Sequence, residues 1–306
     1  MDILILSRSD SVHADAVEEY CLKRASVSRM NFDFETSGLE NLPRITARQT
    51  IPEQIPDAVF VHHPRISYST EAFTDILEQK LFVASWDSVK EWLEVQFSAA
   101  HWINRPSSNR LNRNVLHQLR LADSLGFDIP ETLFTNDKEE LLRFSDGEVI
   151  VIKQGNLGVH LNKKRILTSI VNIADIEPEI LRHCPCLFQK YILKQHELRV
   201  HVIGENVLTC KIHSQVNEKT CVDWRNYDLD NTPHEACDLG DKVEKKCVEI
   251  VRQLGLEFGV IDIIVTPREE LVFLECNAQG HWIWIEKLTG LPITKTLCEY
   301  ILTGSA

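Results

Sequence analysis

The sequence predicts an α+β protein with a small α/β unit in front, and three observations carry that prediction. Short apolar strands alternate with amphipathic helical stretches over the first hundred residues, and strands dominate from Cys186 onward. The last two apolar runs, Gly259 to Val265 and Leu271 to Asn277, are joined by Thr266-Pro267-Arg268-Glu269-Glu270, the pattern of an antiparallel hairpin. A chain of 306 residues is long enough for two or three lobes with a sizeable buried core.

Taken in order, Met1 to Ser7 fails as a signal peptide, with an acid at position 2 and an apolar run of only four residues, so Ile3 to Leu6 reads as a first buried strand. Ala58 to Val61 is a second. Residues 70–80 and 85–97 carry apolar side chains at helical spacing, Trp86, Val89, Trp92, Leu93 and Phe97 in the latter, which predicts two helices. Asn104-Arg105-Pro106-Ser107-Ser108-Asn109 is a breaker cluster and reads as a lobe boundary. A helix bearing Leu116, Leu119 and Leu125 follows and is stopped by Gly126. Asn136 is expected to cap the next helix, with Glu139 completing a capping box. The run Glu148 to Lys153 reads as a strand entering Gln154-Gly155-Asn156-Leu157-Gly158. A lysine so placed can offer its ammonium, beside loop N–H groups, to a polyphosphate, or it can be a solvated edge residue. Strands are expected over 187–193, 197–203 and 207–214, an amphipathic helix over 239–254, and a closing helix over 292–302.

The last hairpin carries the chemistry. A turn centred between Arg268 and Glu269 sets Asp262 opposite Glu275, with Cβ atoms about 4.5–5.5 Å apart and in need of a counter-ion. Asn277, two residues on, shares the face of Glu275. Two carboxylates and an amide oxygen form a hard oxygen set suited to magnesium rather than zinc. Magnesium with so few protein ligands takes the rest from water and nucleotide phosphates, which points to an ATP site; polar residues on a solvated face are the alternative. The net charge of −12 argues against broad, sequence-independent nucleic-acid binding and leaves room only for a local basic groove. No apolar run is long enough for a membrane helix. Nine scattered cysteines without a C-x-x-C pair indicate neither a disulfide framework nor a zinc site and fit a reducing cytoplasm.

Beyond the lysine strand and the hairpin, four segments have a specific character: Phe188-Gln189-Lys190-Tyr191-Ile192, Glu197-Leu198-Arg199-Val200-His201-Val202-Ile203-Gly204, Asp223-Trp224-Arg225, and Glu275-Cys276-Asn277-Ala278-Gln279-Gly280-His281-Trp282-Ile283-Trp284-Ile285-Glu286. In this order they resemble the ATP-grasp ligases, and within them the graspetide macrocyclases that cyclise microviridin-type peptides. The resemblance runs from Trp102 to the C-terminus. It implies an ATP-grasp fold, two α+β lobes over 104–188 and 189–306 clasping ATP, preceded by a pre-grasp α/β domain over 1–103. It implies ATP and Mg2+ as cofactors, a ribosomal precursor peptide with leader and core as partner, and a possible homodimer. The implied reaction joins an Asp or Glu side chain to a Ser, Thr or Lys side chain through an acyl phosphate, giving an ω-ester or ω-amide ring.

By the same resemblance Lys153 matches the phosphate-binding lysine, and Gln189, Lys190, Tyr191 and Ile192 match the linker whose backbone reads adenine. Glu197 matches the acid near the ribose, Arg199 the arginine facing the transferred phosphate, and Arg225 an arginine that helps engage the peptide. Asp262, Glu275 and Asn277 match the magnesium ligands. Plainer readings stand beside these: Arg199 and Glu197 as a same-face ion pair, Arg225 as a solvated loop charge, and Trp282 and Trp284 as core residues alternating in an extended segment. His201 and His213 read as packing or surface histidines, and Lys163-Lys164-Arg165 as a solvated turn. The sequence departs from the family where Asn277 is followed by Ala278 instead of proline, where His281 replaces a glutamine, and where only Arg113 lies near the place of an earlier phosphate lysine. Two rivals remain: an ATP-grasp ligase adding a small amino acid to a carboxylate, and a non-catalytic ATP-binding module.

Overall fold

The computed structural model describes residues 1–34, 55–64, 66–68, 75–153, 160–161, 164–165, 168–226 and 228–304. An α+β architecture results, built on one parallel and two antiparallel sheets of four or five strands, with two further two-stranded pairings among the described residues. The N-terminal sheet is parallel, in the order Ser26–Asn31, Asp2–Ser7, Ala58–Val61 and His101–Ile103. Its two inner strands read as continuous apolar runs because both faces are covered, Ala58–Val61 being buried throughout, whereas the edge strand Ser26–Asn31 is mixed and partly exposed. The two helices expected over 70–80 and 85–97 are a single helix, Ile76–Gln96, capped by Asp75. Nothing between Leu81 and Ala84 breaks a helix, so the two apolar stretches fuse. Residues 70–74 lie outside the described residues.

A four-stranded antiparallel sheet follows, ordered Ser169–Val171, Ile150–Lys153, Cys186–Lys190 and Thr132–Thr135. The strand bearing Lys153 is an inner one, contrary to the edge reading. Its preceding helix, Lys138–Ser145, is capped by Asp137, which accepts from Glu139 N. Asn136, expected in that role, instead donates to the Arg182 carbonyl. The Asp side chain at the helix start wins because a carboxylate both bonds the free N–H and opposes the helix dipole. Of the basic turn, Lys164–Arg165 pairs with His160–Leu161, and Lys163 lies outside the described residues.

The five-stranded antiparallel sheet is ordered His234–Cys237, Asn206–Ile212, His196–Ile203, Phe258–Val265 and Leu271–Asn277. Asp262 faces Glu275 as the sequence predicts, although the turn is centred on Arg268: Val265 faces Leu271 and Ile263 faces Phe273. One extra residue in the second strand, Leu274, shifts the register between Asp262 and Ile263 and restores the carboxylate pair. Helices Val115–Ser124 and Asp241–Gln253 cover this sheet, with Leu119, Cys247, Ile250 and Val251 in a core shared with Val200 and Phe273.

Trp284, expected in an extended segment, lies in the helix Ile283–Thr289, with Trp282 at its N-cap. Trp282 is fully buried as core, as expected of it. The closing helix Ile293–Thr303 packs with Ile3, Phe60 and Val17, so residues from both chain ends share one core. The breaker cluster is no loose linker. Asn104, at φ +62 and 1% exposed, donates from Nδ2 to the carbonyls of Phe258 (2.6 Å) and Ala278 (2.5 Å). Its Oδ1 accepts from Glu257 N and Phe258 N, fastening the chain before the short helix Pro106–Leu111 to the final hairpin. Gln118 does the same for its helix, bonding both N and O of Cys276.

Candidate functional site

Antiparallel register places three charges in one row across three neighbouring strands: Arg199 faces Asp262, which faces Glu275. Arg199 Nη1 donates to Asp262 Oδ1 at 2.8 Å, with both side chains less than a tenth exposed. The alternative reading of Arg199 and Glu197 as an ion pair with each other does not hold. Glu197 Oε1 accepts instead from Lys194 Nζ (2.7 Å) and Ser214 Oγ (2.8 Å). The Arg199 guanidinium also stacks on Trp224, 4.9 Å from the ring centroid, and reaches the His281 carbonyl at 3.3 Å.

Arg225 is no solvated charge. It sits on the turn Trp224–Asn226, held by Asp223 through Nε to Oδ1 (2.8 Å) and Nη2 to Oδ2 (2.7 Å), and its Nη1 lies 3.6 Å from Glu275 Oε1. Such fork-to-fork geometry fixes an arginine in orientation as well as position. Lys153 comes from the other sheet and is 9% exposed, its ammonium feeling Glu275 and Asp262 across the cleft. Arg199, Arg225 and Lys153 are thus the counter-ions that the opposed carboxylates require.

Electrostatics follow from burial set against these cations. Burial lowers the Lys153 pKa despite Glu275. Burial pushes Asp262 up, and Arg199 does not fully offset it. Burial also raises Glu275, but Lys153 and Arg225 outweigh it and hold that carboxyl below its usual value. Burial lowers Arg225, yet the Asp223 bond and Glu275 more than reverse this, so its guanidinium stays charged. Asn277 Nδ2 donates to Asp262 Oδ2 (3.3 Å) and Glu275 Oε1 (3.2 Å). A half-turn of that amide exchanges its nitrogen for its oxygen, giving the all-oxygen donor set that suits Mg2+.

Lys153, Asp223, Arg225, Asp262 and Glu275 line one pocket between the two antiparallel sheets, together with Gln189, Lys190, Tyr191, Ile192 and Glu197, whereas Arg199 and Asn277 are outside its lining and reach it through their bonds to Asp262. The Gln189 side chain is tied to Thr132 Oγ1 at 3.0 Å, and Lys190 pairs with Glu131 (3.1 Å) and Glu148 (3.3 Å) at the rim. Both side chains are thereby occupied. Ile192 follows as irregular chain after the strand ends. Sequence reasoning missed Lys194, 8% exposed in the pocket wall, and Thr168, whose N–H donates to Asp223. The signal for Lys194 was its place three residues before Glu197. Arg113, the basic residue near the missing lysine position, is exposed and absent from the pocket lining. His201 is fully buried and His213 bonds Glu235, as structural histidines. The loop 154–158 lies outside the described residues.

The Asp223 anchor makes a pH prediction. Burial raises its pKa, but the Arg225 bonds outweigh this and leave it lowered. Stability from a depressed carboxyl is complete above its unfolded value and is lost as pH falls through the lower folded one. Wild-type melting temperature should therefore drop through that acidic window. Asp223→Asn should melt lower at neutral pH, by about 1–3 kcal/mol in stability, and should lack that acidic step.

Two antiparallel sheets clasping a pocket, a buried lysine on one and a row of acid and arginine on the other, make up an ATP-grasp fold. No family model matches the sequence. The full chain is similar to the RiPP-associated ATP-grasp ligase of Chryseobacterium gregarium, solved with ADP and a leader and core peptide, at TM-score 0.84 and 26% identity over 100% of this chain and 97% of that one. The macrocyclase MdnC from Microcystis aeruginosa MRC, bound with precursor peptide MdnA, shares the fold at TM-score 0.82 and 24% identity, over 99% of this chain and 100% of that one. Among curated relatives, the probable alpha-L-glutamate ligase 1 of Shewanella oneidensis is 26% identical over 197 residues, 62% of this chain. The chain spans 63% of that relative's length. Over its full length the chain is thus similar to a RiPP-associated ATP-grasp ligase, and over 62% of its length to glutamate ligases.

Proposed function

We propose that this protein is an ATP-dependent peptide macrocyclase. The observation that carries the reading is the full-length likeness to a ligase holding ADP, leader and core peptide, joined to a pocket lined by Lys153, Arg225, Asp262 and Glu275, with Arg199 paired to Asp262. The partner is a ribosomally made precursor peptide, met in the cytoplasm.

An oxygen of an Asp or Glu side chain of the peptide attacks the γ-phosphorus of ATP, and ADP leaves. A Ser or Thr hydroxyl, or a Lys amine, then attacks the acyl carbon of the mixed anhydride, its proton is lost and phosphate leaves. In this scheme Lys153 holds phosphate oxygens. Arg199 stabilises charge on the transferring phosphoryl group, where positioned cations contribute most. Arg225, locked by Asp223, orients the peptide carboxylate beside it. The backbone of Gln189 to Ile192 receives the adenine, and Glu197 the ribose. Asp262, Glu275 and Asn277 would hold Mg2+, which supplies charge neutralisation on the phosphates. Both carboxylates are already opposed at the end of one hairpin, so little rearrangement is needed beyond the amide turn of Asn277.

Intact-mass analysis of a precursor encoded beside the gene, incubated with the protein, ATP and Mg2+, tests the reading. The expected product has lost one water per ring, and methanolysis distinguishes esters from amides. An unchanged peptide, with ADP formed only when glutamate and a small carboxylate are supplied, would establish the amino-acid ligase instead.

A further inference from the structure

Outside the pocket, three imidazoles from distant parts of the chain converge. His13 lies on the helix Val12–Cys21, His62 directly follows the strand Ala58–Val61, and His281 lies in the segment that leaves the last strand. Their ligand nitrogens all lie within 4.8 Å of one another. His13 and His62 are 6% and 1% exposed, whereas His281 is exposed. The Nδ1 of His13 and the Nε2 of His62 are buried with no hydrogen-bond partner, so each bears an uncompensated desolvation cost. Fully buried Trp282 packs beneath them, 4.3 Å from the His13 ring and 5.2 Å from that of His62.

We propose that His13, His62 and His281 form a binding site for a transition-metal cation of the zinc class. Nitrogen donors select such a cation over magnesium, which separates this site from the carboxylate hairpin. With Zn–N lengths of about 2.0–2.1 Å, three tetrahedral donors stand about 3.4 Å apart. Rotation of the exposed His281 closes the difference. Ser11 Oγ lies 3.2 Å from His62 Nδ1 while accepting from Ala14 N. With Nδ1–H donated to that hydroxyl, the orphaned Nε2 presents its lone pair, the arrangement in which an outer partner fixes a ligating tautomer. Burial keeps both inner imidazoles neutral, the form a metal binds. The bound cation would pin the N-terminal unit to the segment whose carbonyl, at His281, receives Arg199.

The probe is zinc itself, titrated against a chromophoric chelator into full-length protein carrying no polyhistidine tag and stripped with EDTA, with Co2+ as a spectroscopic substitute. We expect one equivalent bound, a Co2+ spectrum without thiolate charge-transfer bands, and a melting temperature that rises with zinc. His281→Gln alters an exposed side chain and should keep the fold while weakening binding about tenfold or more. His62→Gln should weaken it likewise. Failure of the wild type to take up zinc would overturn the proposal. So would uptake undiminished in both variants, or a thiolate band that moves the metal to cysteine.

Discussion

Arg199→Ala is expected to slow the proposed peptide cyclisation by about 10²–10³-fold or more, the loss that follows removal of one preorganised donor. It should also lower stability by roughly 3–5 kcal/mol, because deleting one member of a buried ion pair strands the other. Both effects come from one geometry, the 2.8 Å bond to Asp262 with side-chain exposures of 6% and 8%. Asp262→Asn gives the complementary result. It keeps an acceptor for the guanidinium, so the fold should suffer less, yet it removes the charge on which a divalent cation depends. Single-turnover rates with Mg-ATP and urea midpoints measure the two quantities separately. Ligation surviving in purified Asp262→Asn would sink the metal assignment.

Asn104→Ala should be the most damaging substitution away from the pocket. Four hydrogen bonds end on its amide, two donated to hairpin carbonyls and two accepted from N–H groups of Glu257 and Phe258. Alanine leaves those groups buried and unpaired, a loss on the order of 3 kcal/mol or more. Asn104→Gly loses the same bonds but relieves the left-handed backbone, at φ +62, by about 1–2 kcal/mol. Glycine should therefore be the milder variant in denaturant melts. The reverse order would mean that backbone conformation plays no part at this position.

Period and polarity made most of the architecture readable. Continuous apolar runs marked the two inner parallel strands but not the flanking Ser26–Asn31 and His101–Ile103, and the helix Asp241–Gln253 followed its i, i+4, i+7 stripe. The carboxylate pair was readable too, though through two compensating differences. The turn lies half a residue earlier than symmetry suggested, and the extra Leu274 makes up the shift. Features that depend on distant partners were not readable. A breaker cluster gives no sign that Asn104 will bridge to residues 257, 258 and 278, because the partners are backbone groups with no sequence signature. Trp282 and Trp284 alternate like strand residues, but Trp284 continues into a helix and stacks on Trp224 at 5.2 Å. The merging of two helices into Ile76–Gln96 shows a further limit: amphipathic period locates faces, and only a breaker or cap locates ends.

The irregularity at Leu274 reaches beyond register. On a regular strand neighbouring residues project to opposite sides of the sheet, so a cleft draws only alternate positions from any one strand. Two residues set against one escape that parity, and both Leu274 and Glu275 border the cleft opposite Asp262. A single strand thereby supplies an oily contact and an anionic one side by side, which lets a flat apolar ring and a charged tail of one ligand be met within a span of two residues. Deleting one residue would barely alter the composition of that strand, but it would return the wall to strict alternation and separate the two kinds of contact.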